Sequence, residues 1–330
     1  MPSTAAFFIT ALMMAVAPSG FAAEPAPLTI EAKIPLGAVR GRIDHLAVDL
    51  ARKRLFVAEL GNHSVAVVDL DRRLVVRMIT GLDEPQGVGY VASIDTLYVA
   101  NAGDGSVRLF AGADLSPAGR IDLDSNADNV RVDNDANRVI VGHGSGGLAI
   151  IDAASRTKIG DIALRAHPEG FQFDTQSKRA FINLPDARAI GVADLAAGKI
   201  VATIPLDAAW ANFPMALDRP RDVGLVVTRS PPKLWTFGLS DSALRRSVDT
   251  CGDADDVFVD TKRDRVYVSC GAGFVDVFVP ADARYRKVGH MLTAPGARTS
   301  LFVPELDRLF LAVRAEGNEA AAIWVLRPLP

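Results

Sequence analysis

The sequence predicts an all-β fold, a seven-bladed β-propeller with four-stranded antiparallel blades. Three observations predict it: one segment recurs seven times, the copies lie 41 to 44 residues apart, and each copy carries four short apolar or alternating runs separated by turn residues. Alternation with a period of two is typical of strands, and four strands in a repeat of this length are typical of a propeller blade. No stretch of helical periodicity is long enough to compete.

The recurring segment is clearest in three copies. AVDLARKRLFVAE begins at residue 47 and returns as RVDNDANRVIVGH at 131 and VFVDTKRDRVYVSC at 257. One position precedes the second apolar run in every copy, and its occupants are Arg54, Thr96, Arg138, Arg179, Val223, Arg265 and Arg308. We expect repeats near residues 42–83, 84–125, 126–166, 167–210, 211–252, 253–295 and 296–330 plus 28–36.

The last copy lacks a fourth strand. EAKIPL at residues 31–36 stands alone ahead of the first copy and resembles the fourth strand VATIPL at 201–206. We therefore predict that residues 28–36 pair with the strand at 321–326 and complete the seventh blade. Such closure pairs sheet edges that would otherwise stay open at the seam.

The N-terminus resembles an export signal. An apolar run from Phe7 to Ala17 is followed by small residues at Gly20 and Ala22, a pattern typical of a signal peptide over residues 1–22. The run is short for a membrane-spanning helix, and the chain offers no other. The sequence thus predicts a periplasmic or secreted protein without a membrane span, whose single domain covers residues 23–330.

Composition narrows the classes of partner. With 49% hydrophobic and 23% charged residues, the chain is too apolar to be disordered. A net charge of −3 without any block of Lys and Arg argues against nucleic acid, which requires a concentrated basic face. We expect a monomer whose partners are a small polar ligand or another protein.

Three tetrads point to a known family. YVAN at 98–101, FVAE at 56–59 and YVSC at 267–270 each end the second run of a copy. In these motifs the chain resembles the YVTN-repeat propellers, and from about residue 28 to its end it is similar to the exported YncE-like proteins of that family. The resemblance implies a seven-bladed periplasmic or surface propeller, usually without an assigned reaction.

One column of carboxylates repeats too regularly for catalysis. Its members are Asp49, Asp133, Asp174, Asp218 and Asp260, one in each of five copies. A catalytic group is not needed in five blades at once. We expect these side chains to cap the turn between the first and second strands, while the arginines five residues later pair with them across the hairpin.

A second column, ahead of the innermost strands, varies from blade to blade. Its members are Asp44, Gln86, Asp128, Glu169, Phe213, Asp255 and Arg298. Neighbouring positions add Arg42, His45, Glu84, Asn129, His167, Asn212 and Asp256, and the loops after the second strands add Glu59, Asn101, His143, Arg229 and Arg314. Variation at equivalent positions is expected where a repeat array recognises something asymmetric. These residues should surround the mouth of the central channel.

Two classes of function fit this rim. In the first, the protein is a binding module, and the side chains that contact the ligand are Asp44, Gln86, Asn129, Asn212 and Arg298. In the second, it is a lactonase-like or esterase-like hydrolase with His45 or His167 as general base. Its Ca²⁺ or Mg²⁺ would be held by Asp128, Glu169, Asp255 and Asp256.

Neither class is decided by a motif. Calcium-dependent lactonase propellers are similar in topology and in their Asp, Glu and Asn ligands, yet no motif here matches theirs residue by residue. A solvated acidic rim without a ligand is the third interpretation, and the histidines could simply bond neighbouring carbonyls.

The only two cysteines are Cys251 and Cys270. They lie at the two ends of one predicted hairpin in the sixth copy, so they should meet at the same rim. In an exported chain a disulfide is the default. A zinc site would need two further ligands that the stretch lacks, and a redox pair usually has CxxC spacing. We predict a Cys251–Cys270 disulfide.

Overall fold

The structure, a computed structural model, describes Met1, residues 26–281 and residues 284–330. The predicted signal peptide falls almost entirely on residues 2–25, outside the described residues. Within the described part, the strands form seven four-stranded antiparallel sheets. The predicted all-β propeller is therefore confirmed.

The first strand of each blade is the innermost, because these strands contact one another in an unbroken ring around the central channel. Four of them have only four residues, and the other three have seven or nine. The inner strands are β2 (Leu46–Asp49), β6 (Pro85–Val91), β10 (Val130–Asp133), β14 (Phe171–Asp174), β18 (Trp210–Asp218), β22 (Ala254–Asp260) and β26 (Ser300–Val303).

The two middle strands of each blade are buried on both faces, which explains their near-continuous apolar runs. The second strands are β3 (Arg54–Glu59), β7 (Thr96–Asn101), β11 (Arg138–His143), β15 (Arg179–Leu184), β19 (Val223–Ser230), β23 (Arg265–Cys270) and β27 (Arg308–Val313). The third strands are β4 (Ser64–Asp69), β8 (Ser106–Ala111), β12 (Gly147–Asp152), β16 (Ala189–Asp194), β20 (Pro232–Gly238), β24 (Phe274–Ala281) and β28 (Ala322–Pro328).

The outer strands are the most exposed and the most polar. They are β5 (Leu74–Ile79), β9 (Ser116–Asp122), β13 (Thr157–Ala163), β17 (Lys199–Pro205), β21 (Leu244–Asp249), β25 (Arg284–Leu292) and β1 (Leu28–Pro35). The helices in the described part are short 3₁₀ turns at Leu60–Asn62, Ala92–Ile94, Pro185–Ala187, Arg219–Arg221 and Pro304–Leu306. None of the helices in the described part is long and apolar enough to cross a membrane.

The core is divided among the seven interfaces between neighbouring blades. Each interface holds one apolar cluster, such as Phe56 with Leu97 between the first two blades. Since the clusters follow one another around the ring, each blade is held from both sides.

The predicted closure of the seventh blade is confirmed. Strand β1 pairs with β28 antiparallel, from Leu28 opposite Pro328 to Pro35 opposite Ala322, with a bulge at Glu31. The amide of Leu329 also donates to the carbonyl of Pro27 at 3.0 Å. The outer strand of the last blade thus comes from the beginning of the propeller sequence, ahead of the first blade.

Four of the five repeated aspartates cap their turns as predicted, whereas Asp218 bonds only the side chains of Arg221 and Tyr285. Asp49 Oδ1 accepts the amide of Arg52 at 3.1 Å, and Asp133 accepts that of Ala136 at 3.1 Å. The expected pairing with the arginine column is wrong. Among the described residues no ion pair joins the two columns, and Arg54 donates to the Ala113 carbonyl of the next blade at 2.6 Å. The ion pairs come instead from arginines within the turn, as with Arg52 and Asp49 at 2.9 Å.

Candidate functional site

The variable column lies where the inner strands begin, because backbone bonds to the second strands hold it there. The amides of Asp44, Asp128 and Glu169 donate to carbonyls of Ala58, Gly142 and Asn183 at 2.7, 2.9 and 3.0 Å. Asp128 and Glu169 line a cavity of about 240 Å³ at one end of the channel, which we call the mouth, and Asp44 lies behind its wall. The mouth is lined by Arg42, His45, Gln86, Asn126, Asp128, His167, Glu169, Phe213, Arg229, Asp255 and Arg298.

The third and fourth blades supply the acidic half of the mouth, consisting of Asp128, His167 and Glu169. One potential ligand atom from each lies within 4.8 Å of the others. His167 Nδ1 is 2.6 Å from the Gly144 carbonyl, and its Nε2 is 3.7 Å from Asp128 Oδ2. Because a carbonyl only accepts, Nδ1 carries the proton in the neutral ring. The unprotonated Nε2 then lies 3.5 Å from Asn126 Nδ2, which can donate to it, and 3.7 Å from Asp128 Oδ2.

Crowding of these groups shifts their protonation. Desolvation by the channel wall and the negative charge of Asp128 raise the pKa of Glu169 to about 8. Desolvation opposes protonation of His167, yet its contact with Asp128 raises the pKa of that ring above its ordinary value. Among the described residues, neither Asp128 nor Glu169 has an arginine or lysine partner. A positive charge placed between them would therefore be stabilised.

The fifth, sixth and seventh blades supply the arginine half. Arg229 Nη2 donates to Asp255 Oδ1 at 2.5 Å, and Arg298 Nε lies 3.2 Å from Asp255 Oδ2. Asp253 connects the same two guanidinium groups, since it accepts from Arg298 Nη1 at 2.9 Å and lies 3.2 Å from Arg229 Nε. The ring of Phe213 covers one face of Arg229, with the guanidinium carbon 3.8 Å from the ring centroid. Asp255 is thus neutralised by two arginines.

The first blade contributes a separate ion pair. Arg42 Nη2 lies 2.7 Å from Asp44 Oδ2 and 3.5 Å from Gln86 Oε1. Asp44 is 1% exposed, and this burial raises its pKa to about 6 against the opposing charges of His45 and Arg42. His45 Nε2 is 3.8 Å from Asp44 Oδ1. Three of the predicted ligand-binding residues, Asp44, Gln86 and Arg298, therefore surround the mouth or its wall.

Asn129 and Asp256 lie deeper. They line a chamber of about 30 Å³ within the channel, together with Arg131. Asp256 accepts the amide of Ser300 at 2.7 Å, and burial reinforced by the charge of Asp255 raises its pKa well above the ordinary value. The buried Oδ1 of Asn129 has no hydrogen-bond partner among the described residues. The chamber has room for about one water molecule or a small ion.

Asn212 points between two blades rather than across the mouth. It is fully buried, and its Nδ2 donates to Asn183 Oδ1 at 2.9 Å and to the Ala189 carbonyl at 3.1 Å. Its donors are therefore used in joining the fourth and fifth blades. Asn183 in turn donates to the carbonyls of Phe213 and Pro214, which fixes the backbone beside the mouth.

The sequence analysis selected neither Asn126, which lines the mouth, nor Arg131, which is the one arginine of the chamber. A comparison of the repeats could have identified Arg131. Its position on the inner strand is occupied by Ala47, Gly89, Gln172, Ala216, Phe258 and Leu301 in the other copies, so it is the single charge in that column. Asn126 precedes the inner strand by a loop, where the repeat alignment is loosest, and nothing in the sequence distinguishes it.

The predicted disulfide is confirmed. Cys251 and Cys270 are bonded, with their Cα atoms 5.8 Å apart. Cys270 ends β23 opposite Ala254 of β22, so the bond joins the two ends of the hairpin as expected. Asp253 and Asp255 follow Cys251 directly, and the bond thus anchors the loop that holds Arg229 and Arg298.

Comparisons with known proteins support the fold alone. No family model and no curated protein matches the chain. Among solved structures, hydrazine synthase of Kuenenia stuttgartiensis superposes with a TM-score of 0.75 at 13% identity, over 94% of this chain and 99% of that one. A chain of the mitotic checkpoint complex gives 0.74 at 12% identity, over 99% and 100%. At such low identity the likeness shows the seven-bladed propeller and indicates no ligand.

Proposed function

We propose that this protein is an exported propeller, related to the YVTN-repeat and YncE-like proteins, that binds a small polar ligand or a cation at its mouth. The disulfide and the apolar N-terminal segment support export. The repeat tetrads support the family. Propellers serve many unrelated functions, so the argument for binding depends on the site rather than on the fold.

One observation carries the proposal. One potential ligand atom each from Asp128, His167 and Glu169 lies within 4.8 Å of the others, and no arginine or lysine in the described part of the chain forms an ion pair with either carboxylate. Other acids at the rim are neutralised, Asp44 by Arg42 and Asp255 by Arg229 and Arg298. The acidic half therefore favours a cationic occupant. Ca²⁺ or Mg²⁺ would be coordinated by the two carboxylates, and water or a bound ligand would supply the remaining coordination positions.

Calorimetric titration tests this proposal. Chelator-treated protein is titrated with Ca²⁺ and Mg²⁺, and also with Mn²⁺ because imidazole suits transition metals. We expect saturable binding to the wild type and at least about tenfold weaker binding to Glu169→Gln, which removes one charged ligand.

The matched control is Glu84→Gln, on the same rim but exposed and outside the mouth. It should bind like the wild type. If none of the three ions gives heat or a thermal shift, or if both variants behave alike, the acidic half is only solvated surface.

A metal-dependent hydrolase is the second candidate. The observation that favours it is the orientation of His167, whose proton on Nδ1 is bonded to Gly144 while the unprotonated Nε2 lies 3.7 Å from Asp128 Oδ2. That nitrogen could accept a proton from water in ester or lactone hydrolysis. We would test Ca²⁺-loaded protein on simple lactones and aryl esters. Ion binding without turnover leaves the binding function in place, whereas turnover abolished by His167→Gln supports the enzyme.

A further inference from the structure

The mouth has one acidic side and one side rich in arginine. The function proposed above uses only the acidic half. The arginine half and the Arg42 pair hold three guanidinium groups on the first, fifth and seventh blades, whereas Asp128 and Glu169 belong to the third and fourth. Each guanidinium is fixed by an aspartate: Arg42 by Asp44, and Arg229 and Arg298 by Asp253 and Asp255. These aspartates hold the guanidinium groups in one orientation before a ligand binds.

These contacts do not use all the donors. A guanidinium has five N–H groups. Arg298 uses Nη1 and Nε on its aspartates, and Arg229 uses Nε and Nη2 on Asp255, Asp253 and the Ala254 carbonyl. Among the described residues, Arg298 Nη2, Arg229 Nη1 and the Nη1 and Nε atoms of Arg42 have no bonded partner. All three side chains line the mouth, so a ligand bound there lies next to guanidinium groups that retain unbonded donors.

A planar fork with free N–H groups suits an oxyanion. Because each arginine is already paired with a carboxylate and two further acids lie across the mouth, a dianion such as phosphate would meet more repulsion than a singly charged carboxylate. The ring of Phe213 stands between the two halves and gives an apolar wall. The cavity of about 240 Å³ lies below the roughly 300–1,000 Å³ of drug-sized pockets, which indicates a ligand of metabolite size.

We propose that Arg42, Arg229 and Arg298 form a carboxylate subsite, so that the mouth binds a small zwitterion of the amino-acid class. Its carboxylate lies against the arginines, and its ammonium group lies between Asp128 and Glu169. The second half of this proposal depends on the cationic site proposed above. The first half does not.

Three probes of equal chain length separate the two halves: 4-aminobutyrate carries both charges, butyrate only the negative one, and butylammonium only the positive one. In calorimetric titrations at millimolar concentration, we expect the zwitterion to bind more tightly than either of the others. Arg298→Gln should weaken 4-aminobutyrate and butyrate about tenfold or more, as expected for a hydrogen bond to a charged group, and leave butylammonium unchanged. Glu169→Gln should show the converse pattern.

Arg298→Gln also removes a partner from Asp253 and Asp255, so a second variant is needed. Arg42→Gln changes a side chain that is 43% exposed and leaves the partners of Asp253 and Asp255 in place, although it removes that of Asp44. We expect it to weaken the same two probes, and only a loss common to both variants is assigned to the subsite. The control is Arg40→Gln, an exposed arginine of the same blade outside the mouth, which should bind like the wild type.

The titrations test the arginine subsite and the cationic site separately. If butylammonium or Ca²⁺ binds but neither carboxylate does, the arginine subsite is wrong and the cationic site stands. If butyrate binds and depends on Arg42, while no cation binds, the subsite stands and the function proposed above fails. Binding of inorganic phosphate in preference to butyrate overturns the assignment to a carboxylate, and butyrate affinity equal in all three arginine variants overturns the subsite.

Discussion

Two buried carboxylates outside the mouth have opposite surroundings. Glu59 is fully buried and receives one hydrogen bond, from Ser64 Oγ at 2.7 Å, while its Oε1 has no partner among the described residues. Asp276 is equally buried but has four donors, from Thr250, Cys251, Lys287 and His290 at 2.5 to 3.0 Å. The number of donors decides which charge the protein tolerates.

Glu59 should make stability fall as pH rises. Burial raises its pKa to about 7, above the unfolded value of about 4.3, so between these values the folded state holds a proton that the unfolded state has lost. Stability therefore decreases across that window. We expect Glu59→Gln to match the wild type near pH 4 and to be more stable at pH 8 by on the order of 1–3 kcal/mol. Urea denaturation at both pH values measures this, with exposed Glu84→Gln as the control. An equal gain at both would contradict it.

Asp276 should behave as a buried, fully paired charge. Replacing it by Asn leaves Lys287 and His290 facing a neutral amide, so we expect Asp276→Asn to lose about 3 kcal/mol of unfolding free energy. The matched control is Asp249→Asn. Asp249 also bonds a lysine, Lys233 at 2.6 Å, but its side chain is 83% exposed, and the loss should stay below about 1 kcal/mol. Equal losses in chemical denaturation would show that burial does not distinguish the two pairs.

At the scale of elements, the contribution of the closing strand β1 to stability can be measured through its two isoleucines. Ile34 is 1% exposed and belongs to the cluster between the seventh and first blades, whereas Ile30 on the same strand is 38% exposed. We expect Ile34→Ala to lower the unfolding free energy by about 2–4 kcal/mol and Ile30→Ala by less than about 1 kcal/mol. If the Ile34 variant melts like the wild type, β1 adds little to the stability of the ring.

The disulfide should stabilise the sixth blade without being required for the fold. The bond closes a loop of 19 residues, which corresponds to about 3 kcal/mol in the chain-entropy model. We expect the double variant Cys251→Ser, Cys270→Ser to keep its circular dichroism spectrum and melt at a lower temperature. Free thiol in the non-reduced, unfolded protein would contradict the bond itself.

The sequence allowed the strands to be placed but not the side-chain partners. The repeat period located every inner strand, so the positions of Asp128, Glu169 and Asp255 at one rim followed from alignment alone. The predicted starts were wrong in the second, fifth and sixth blades, where the strand begins before the variable column and includes Gln86, Phe213 and Asp255. Their environments did not follow, because a repeat alignment fixes where a backbone lies and leaves the direction of each side chain open. Asp255 proved to be paired with two arginines, and Asn212 to bond between blades.

At the scale of the whole molecule, the ring removes the need for capping. In an open array of repeats the two terminal repeats each have one uncovered apolar face. Here every one of the seven interfaces contains its own apolar cluster, including the one between the seventh blade and the first. Each blade therefore has two neighbours, and the mouth has a fixed circumference that depends on all seven.

The pairing of β1 with β28 has a consequence for genetic rearrangement. Since Pro27 and Leu329 are already hydrogen-bonded, a short glycine–serine linker could join the two ends of the propeller, and a circular permutant could be opened elsewhere. A chain begun at Ala197, in the exposed turn before β17, would supply β17 as a leading strand to a blade whose other three strands come last. The fourth blade would then be closed by strands from both ends of the chain, as the seventh blade is in the natural protein, on the opposite side of the ring. We expect the permutant to unfold cooperatively and to keep the binding properties of the parent, and an expressed but molten product would mean that the original seam has a role in folding that the finished ring conceals.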